Sequence, residues 1–212
     1  MSEQAAPRYP KPVNERSVRA IAEAARRCRA CDLWRTGTQT VFGAGPRSAD
    51  LMFVGEQPGD VEDKRGEPFV GPAGRILDEA LAAAGIDRSR VYLTNAVKHF
   101  KWKPKGKRRI HERPNRTEVI ACSHWLELEL RLVRPDLVVA LGAIAAQALL
   151  GPAFRVTAER GKLRSSPLAP RIVATVHPSS ILRAPDEQRA AEMHAFIRDL
   201  RVAKKLMRDR ST

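Results

Sequence analysis

The sequence predicts a single α/β domain built on a central four-stranded parallel sheet flanked by helices. Three observations lead to that prediction. Four short apolar runs, LMFVG (51–55), VYLTNAV (91–97), DLVVALG (136–142) and RIVATV (171–176), have strand character. Segments long enough for helices of ten or more residues separate them, and strands joined in this way form βαβ units with parallel pairing. The chain has 212 residues, 43% of them hydrophobic, and no internal repeat, which suits one domain with a sizeable core.

Residues 1–13 are polar and proline-rich and read as a leader, 14–207 as the domain and 208–212 as a tail. From Asn14 to about Ala30, Val18, Ile21, Ala22 and Ala25 recur at helical spacing, with Ser17 placed to cap the start. A Cys28-x-x-Cys31 pair closes this helix, and a glycine-rich segment leads to the first strand. That strand ends abruptly in GEQPGD (55–60); KRGEPFVGPAG then leads to a helix, RILDEALAAAG, that stops at Gly85. After the second strand and a basic segment, Thr117 to Val133 reads as a helix with Val119, Ile120, Trp125, Leu126, Leu130 and Val133 on its apolar side. GAIAAQALLG is the helix behind the third strand. The fourth strand runs into HPSS (177–180), and a last helix spans about Asp186 to Leu206.

The basic segment is residues 98–116, KHFKWKPKGKRRIHERPNR, with nine Lys or Arg, one acid (Glu112) and His111 in its densest part. Unpaired charges of this density cannot be buried, and Gly106, Pro104 and Pro114 oppose a continuous helix, so an exposed loop is expected. A solvated basic loop would account for the charge alone. Phe100 and Trp102, interleaved with lysines, suggest instead a surface that stacks unpaired bases. The formal charge of +14 favours a polyanionic partner, nucleic acid first. No apolar run could span a bilayer and the N-terminus lacks a signal-peptide core, so a soluble cytoplasmic protein is expected. Three cysteines make a disulfide framework improbable and suggest a metal or cluster.

In parallel sheets, ligands bind beyond the carboxyl ends of the strands. GEQPGD follows the first strand, Asn95 and the basic loop follow the second, and HPSS the fourth. These motifs therefore converge on one edge, which is where an active site is expected.

GEQPGD, FVGPAG, TNAVK, LGA and VHPSS, in this order, resemble the uracil-DNA glycosylase superfamily, most nearly its iron–sulfur family 4 branch. The GKRRIH insert resembles one subgroup, UdgX. The resemblance runs from about Cys28 to Leu200 and implies that family's three-layer fold. It implies uracil excision from DNA, with Phe69 stacked on the base and the Asn95 amide matching its O4 and N3 edge. From the residues alone, Phe69 could be a core aromatic and Asn95 a strand-end turn residue. His177 would donate to uracil O2 as negative charge develops there, although a structural histidine fits the pattern equally. Gly55 and Gly59 would let the backbone approach base and sugar, with Gln57 beside them. Glu56 would face the cationic sugar; Asp60, a second carboxylate, could equally be a surface cap.

The subgroup resemblance implies that His111 attacks C1′ and stays bonded to the abasic sugar in a single turnover. Neighbouring arginines would keep its imidazole neutral. A water-using glycosylase, with His111 only a phosphate contact, is the alternative, and a non-catalytic nucleic-acid binder another. Lys107, Arg108, Arg109 and Ser179 would contact the DNA backbone. Single-stranded DNA is the expected preference and a monomer the expected state.

Family 4 carries four cysteines around a [4Fe-4S] cluster. Cys28, Cys31 and Cys122 match three of them, while His99 stands where the family has the fourth. His99 would be the remaining ligand, as histidine is in Rieske centres. The residue types alone fit a Cys₃His zinc site, and His124 is a rival ligand.

Overall fold

A computed structural model describes residues 9–207. Most of the expected leader lies within residues 1–8 and the tail is 208–212, outside the described residues. Strands β1 (Leu51–Gly55), β2 (Val91–Asn95), β3 (Trp102–Lys105), β4 (Arg108–His111), β5 (Leu137–Leu141), β6 (Leu163–Ser166) and β7 (Ala169–Thr175) form two sheets. The helices are α1 (Val18–Ala25), α2 (Leu33–Thr36), α3 (Asp60–Arg65), α4 (Pro72–Ala84), α5 (Arg116–Val133), α6 (Ala143–Leu150), α7 (Val156–Glu159), α8 (Pro178–Arg183) and α9 (Asp186–Leu206).

The central sheet has the order β2-β1-β5-β7-β6. The four expected strands pair in parallel, and β1, β2 and β5 are buried at every residue, as strands covered on both faces must be. The sheet is mixed rather than purely parallel because β6 adds antiparallel to β7 at the edge. Its sequence, LRSS, is largely exposed and has no apolar alternation to announce a strand.

One face packs Leu51, Phe53, Leu93 and Val139 against Leu77 and Leu81 of α4 and Phe196 and Leu200 of α9. The other packs Met52, Val54, Tyr92 and Val138 against Leu126 and Leu130 of α5 and Leu149 of α6. A third cluster, with Ile21, Leu33, Val97, Cys122 and Trp125, holds α1 to α5. Tyr9 joins the fold as well, stacking on His124 at 4.2 Å between ring centroids and donating to the Ala121 carbonyl at 2.8 Å.

Helix ends follow local chemistry. Ser17 accepts from the Ala20 amide, as its placement suggested, but the helix it caps ends at Ala25, short of Ala30. Asn115 and Glu118 form a reciprocal capping box at the start of α5. The expected loop at 98–116 is in part an antiparallel hairpin, β3–β4, turning at Gly106, whose φ of 58° suits a tight hairpin turn. Lys103, Lys105, Lys107 and Arg108 stay exposed on this two-stranded arm, whereas Lys98, ahead of it, is buried against the expectation for the segment.

Candidate active site

β1 has β2 on one side and β5 on the other, so the chain changes direction between β1 and β5. Beyond the carboxyl ends of these strands lies a groove of about 1900 Å³, counting space open to solvent. Glu56, Gln57, Gly59, Asp60, Phe69, Asn95, His111, His177 and Ser179 all line it, as the convergence of motifs required.

Asn95 ends β2 in register with Gly55 of β1 and is 3% exposed. Among the described residues its carboxamide makes no hydrogen bond to protein, which leaves its donor and acceptor for a ligand. A Cβ on Gly55 would stand 2.3 Å from Asn95 Oδ1 and 2.7 Å from Phe69 Cζ, so Gly55 is the floor that both side chains rest on. Phe69 adopts φ 57°, a left-handed conformation uncommon for a bulky residue, and Gly74 makes room for its backbone. Its ring lies 6.2 Å from that of His177, at 29° between planes.

The Ser179 amide donates to His177 Nδ1 at 3.1 Å. In a neutral ring the proton must then sit on Nε2. Burial, with smaller contributions from Arg183 and His111, holds the His177 pKa down at about 4, so the ring is neutral at pH 7. The result is a neutral N–H donor available on a groove-lining histidine. Ser179, expected to contact DNA, has both its amide and its hydroxyl engaged with this ring.

His111 Nε2 lies 3.5 Å from Glu56 Oε1. Burial is the main cause lowering the His111 pKa, followed by Arg183 and Arg113. The two arginines that act are Arg113, two residues on, and Arg183 at the end of α8. Both line the groove, and Arg183 carried no signal in the sequence beyond its place after HPSS. Burial also raises the Glu56 pKa, and Oε1 is buried with no hydrogen-bond partner among the described residues.

The hairpin is held in place from below. Gln57 donates to the carbonyls of Lys101 and Glu112 and accepts from the Lys101 amide, so its carboxamide is used on the hairpin rather than on a substrate. Arg109 pairs with Asp60 at 2.5 Å and Asp63 at 2.7 Å. The expected substrate and phosphate roles of Asp60 and Arg109 thus give way to an internal clamp. Lys107 and Arg108 sit exposed at the turn, outside the groove lining. Phe100 is 1% exposed and the Trp102 indole donates to the Thr36 carbonyl, so these aromatics pack the hairpin down and do not form an open stacking surface. Gly59 precedes α3 and leaves space for Glu62, which accepts from the Gly71 amide at 2.8 Å.

The profile of the uracil DNA glycosylase superfamily matches residues 42–201, a span that contains every groove residue above. The chain belongs to the uracil-DNA glycosylase superfamily. It is 37% identical over 174 residues to a type-4 uracil-DNA glycosylase of Thermotoga maritima, covering 80% of this chain and 85% of that one. A type-4 enzyme of Archaeoglobus fulgidus is 37% identical over 165 residues, 74% and 79% of the two chains. A type-5 enzyme of Pyrobaculum aerophilum is 34% identical over 170 residues, 72% and 71%.

A second, smaller site in this glycosylase-family fold, about 270 Å³ counting space open to solvent, is lined by Cys28, Cys31, His99 and Cys122, together with Lys98 and Trp125. The three thiols are unpaired. Among the described residues, no three His, Cys, Asp or Glu side chains are grouped closely enough to chelate one ion as they stand. Burial pushes the Cys122 thiol up to about 12, and the Lys98 amide donates to its sulfur at 3.2 Å. His99 Nε2 is 3.0 Å from Thr40 Oγ1. His124, the rival ligand, stacks between Tyr9 and Trp125 and does not line the cavity. Among the described residues no helix is long and apolar enough to cross a membrane.

Proposed function

We propose that this protein excises uracil from DNA and bonds, through His111, to C1′ of the abasic sugar that remains. The observation that carries the reading is the approach of His111 to Glu56 within a groove that also holds Phe69, Asn95 and His177. The type-4 relatives, named as uracil-DNA glycosylases, support the excision half.

Phe69 packs against the flipped base and the Asn95 carboxamide pairs with its polar edge, which separates uracil from cytosine. As the glycosidic bond breaks, its electron pair leaves with uracil and the anion gathers at O2, where the His177 Nε2–H donates. Glu56 faces the cationic sugar and the imidazole. The lone pair of neutral His111 closes on C1′, and the ring becomes an alkylated imidazolium whose charge the Glu56 carboxylate balances. The attached ring then occupies the face that water would need, so the protein acts once. Arg113 and Arg183, positive at the groove, are suited to the flanking phosphates.

Single-stranded DNA is the preferred form, because flipping a base out of a duplex costs unpairing and unstacking. The proposed state is a monomer. Three unpaired thiols suit work in the reducing cytoplasm.

We also propose that Cys28, Cys31, Cys122 and His99 hold a [4Fe-4S] cluster. The four line one cavity, Thr40 orients the imidazole from its far nitrogen, and the Lys98 amide stabilises a thiolate. A single zinc ion would need its donors to converge at about 2.0–2.3 Å on one point, whereas ligands of a cluster bind separate irons and can lie further apart. The cluster would cross-link the segment after α1, the strand-end loop and α5.

Mixing the protein with a uracil-containing single-stranded oligonucleotide and running a denaturing gel tests the reading. A shifted band that survives denaturant is expected. An alkali-labile abasic site without a shift would indicate water-using turnover, and intact DNA a binding protein.

A further inference from the structure

Beneath the groove lies an ion pair that catalysis does not use. Lys98 and Glu129 are each 1% exposed and meet at 2.5 Å between Nζ and Oε2. Lys98 Nζ also donates to Thr94 Oγ1 and to the Asn95 carbonyl, each at 2.7 Å. Glu129 in turn accepts from the Tyr92 hydroxyl, the Thr94 hydroxyl and the Gly43 amide. Buried pairs of this kind are seldom worth more than well-packed apolar side chains, so stability alone is a weak reason for one here.

The geometry of β2 supplies a better reason. It is an edge strand, and among the described residues Leu93 alone is paired on its open side, exchanging hydrogen bonds with Ala44. Backbone groups two residues apart on a strand point the same way, so the Asn95 carbonyl faces the same open side, one step beyond the last rung. Lys98 Nζ fills that place. On the inner side, the Ala96 amide is held by the Gly55 carbonyl. The peptide that follows the Asn95 side chain is therefore fixed from both edges, by a strand on one and an ammonium on the other.

We propose that Lys98, anchored by its contact with Glu129, is a positioning residue that sets the Asn95 carboxamide against the base; the inference presupposes the uracil excision proposed above. Lys98 touches neither base nor sugar and acts only through the strand end. The same residue donates its amide to Cys122, and Glu129 lies two turns after Cys122 on α5, so the device sits between the metal cavity and the base pocket.

Lys98→Met tests it, with the paired Lys98→Met/Glu129→Leu as the variant that leaves no buried charge behind. Each is measured in single-turnover excision on a uracil oligonucleotide, beside DNA affinity, thermal melting and iron content. In the variant that folds and keeps the wild-type metal content, the excision rate should fall on the order of 100-fold, as for a misplacement of about 1 Å. Affinity for the DNA should stay within about twofold, because no backbone contact is touched. A folded variant excising at the wild-type rate would overturn the proposal. Failure of both variants to fold would do so too, by showing that the pair holds the structure rather than the site. A wild-type protein that leaves uracil in place would instead refute the function proposed above.

Discussion

The guanidinium of Arg109, on the hairpin, pairs at 2.7 Å with Asp63 of α3, a carboxylate with no exposure to solvent. Asp60 holds the same guanidinium at 2.5 Å, and Phe100 and Trp102 lie 5.4 and 5.5 Å from it. Arg109 and His111 are two apart on β4, so their side chains leave the same face of the hairpin. Fixing one aims the other.

Removing that clamp should slow adduct formation more than DNA binding. Arg109→Ala leaves Asp63 buried with only the Thr38 amide for company, at a cost of about 3 kcal/mol. Melting should fall accordingly, and the time course of the denaturant-stable band should lengthen at least tenfold. Arg109→Lys should recover little, because one ammonium cannot reproduce the fork that spans Asp60 and Asp63. Trapping at the wild-type rate in Arg109→Ala would show that the hairpin needs no clamp.

His111→Ser should abolish the denaturant-stable band completely. With the ring gone, Glu56 faces a space wide enough for water, and alkali-labile abasic sites should accumulate over repeated turnovers. A band that persists in this variant would place the nucleophile elsewhere.

Gly55→Ala should damage the base pocket directly. Its methyl group would meet Asn95 Oδ1 at 2.3 Å and Phe69 Cζ at 2.7 Å, displacing both groups proposed to read the base. A loss on the order of 100-fold in excision is expected. Gly74→Ala, which would put a methyl group 1.9 Å from the Phe69 carbonyl oxygen, should lower the melting temperature as well. A Gly55→Ala variant of normal activity would mean that the base binds elsewhere.

Acid should slow the reaction and weaken the fold. The proposed trapping reaction would need His111 neutral and Glu56 ionised, so its rate should rise with pH and level off once both conditions hold. For stability, the His177 pKa is about 4 when folded and about 6.5 when unfolded. Between those values the unfolded chain binds the extra proton, so this contribution is complete above about pH 6.5 and is lost as pH falls toward 4. Melting curves of His177→Asn across that window should be flatter than those of the wild type, and equal slopes would contradict the assignment.

Cys122→Ser should yield a colourless protein without iron and with reduced thermal stability, since it unlinks α5 from the segment after α1. The preparation of the unaltered protein should be brown. Zinc in its place, at one ion per chain, would rule out the cluster.

The apolar runs, their spacing and the turn residues after them were enough to read the four parallel strands, the helices between them and the edge where Glu56, Asn95 and His177 meet. These features depend on periodicity and chain order, which are local properties of a sequence. The edge strand LRSS escaped because a half-exposed strand at the end of a sheet needs no apolar pattern, and the hairpin because its charges hid its pairing. Phe100 and Gln57 fall within the basic segment and GEQPGD, yet Phe100 is buried and Gln57 hydrogen-bonds both ends of the hairpin, which chain position does not show.

What only the tertiary structure decided is which distant charges meet: Arg109 with Asp63, and Lys98 with Glu129. Those partners lie 46 and 31 positions apart. No local pattern encodes such a meeting, because it depends on how elements pack after each has formed. Burial then sets the strength of each pair, and burial is a property of the folded chain alone.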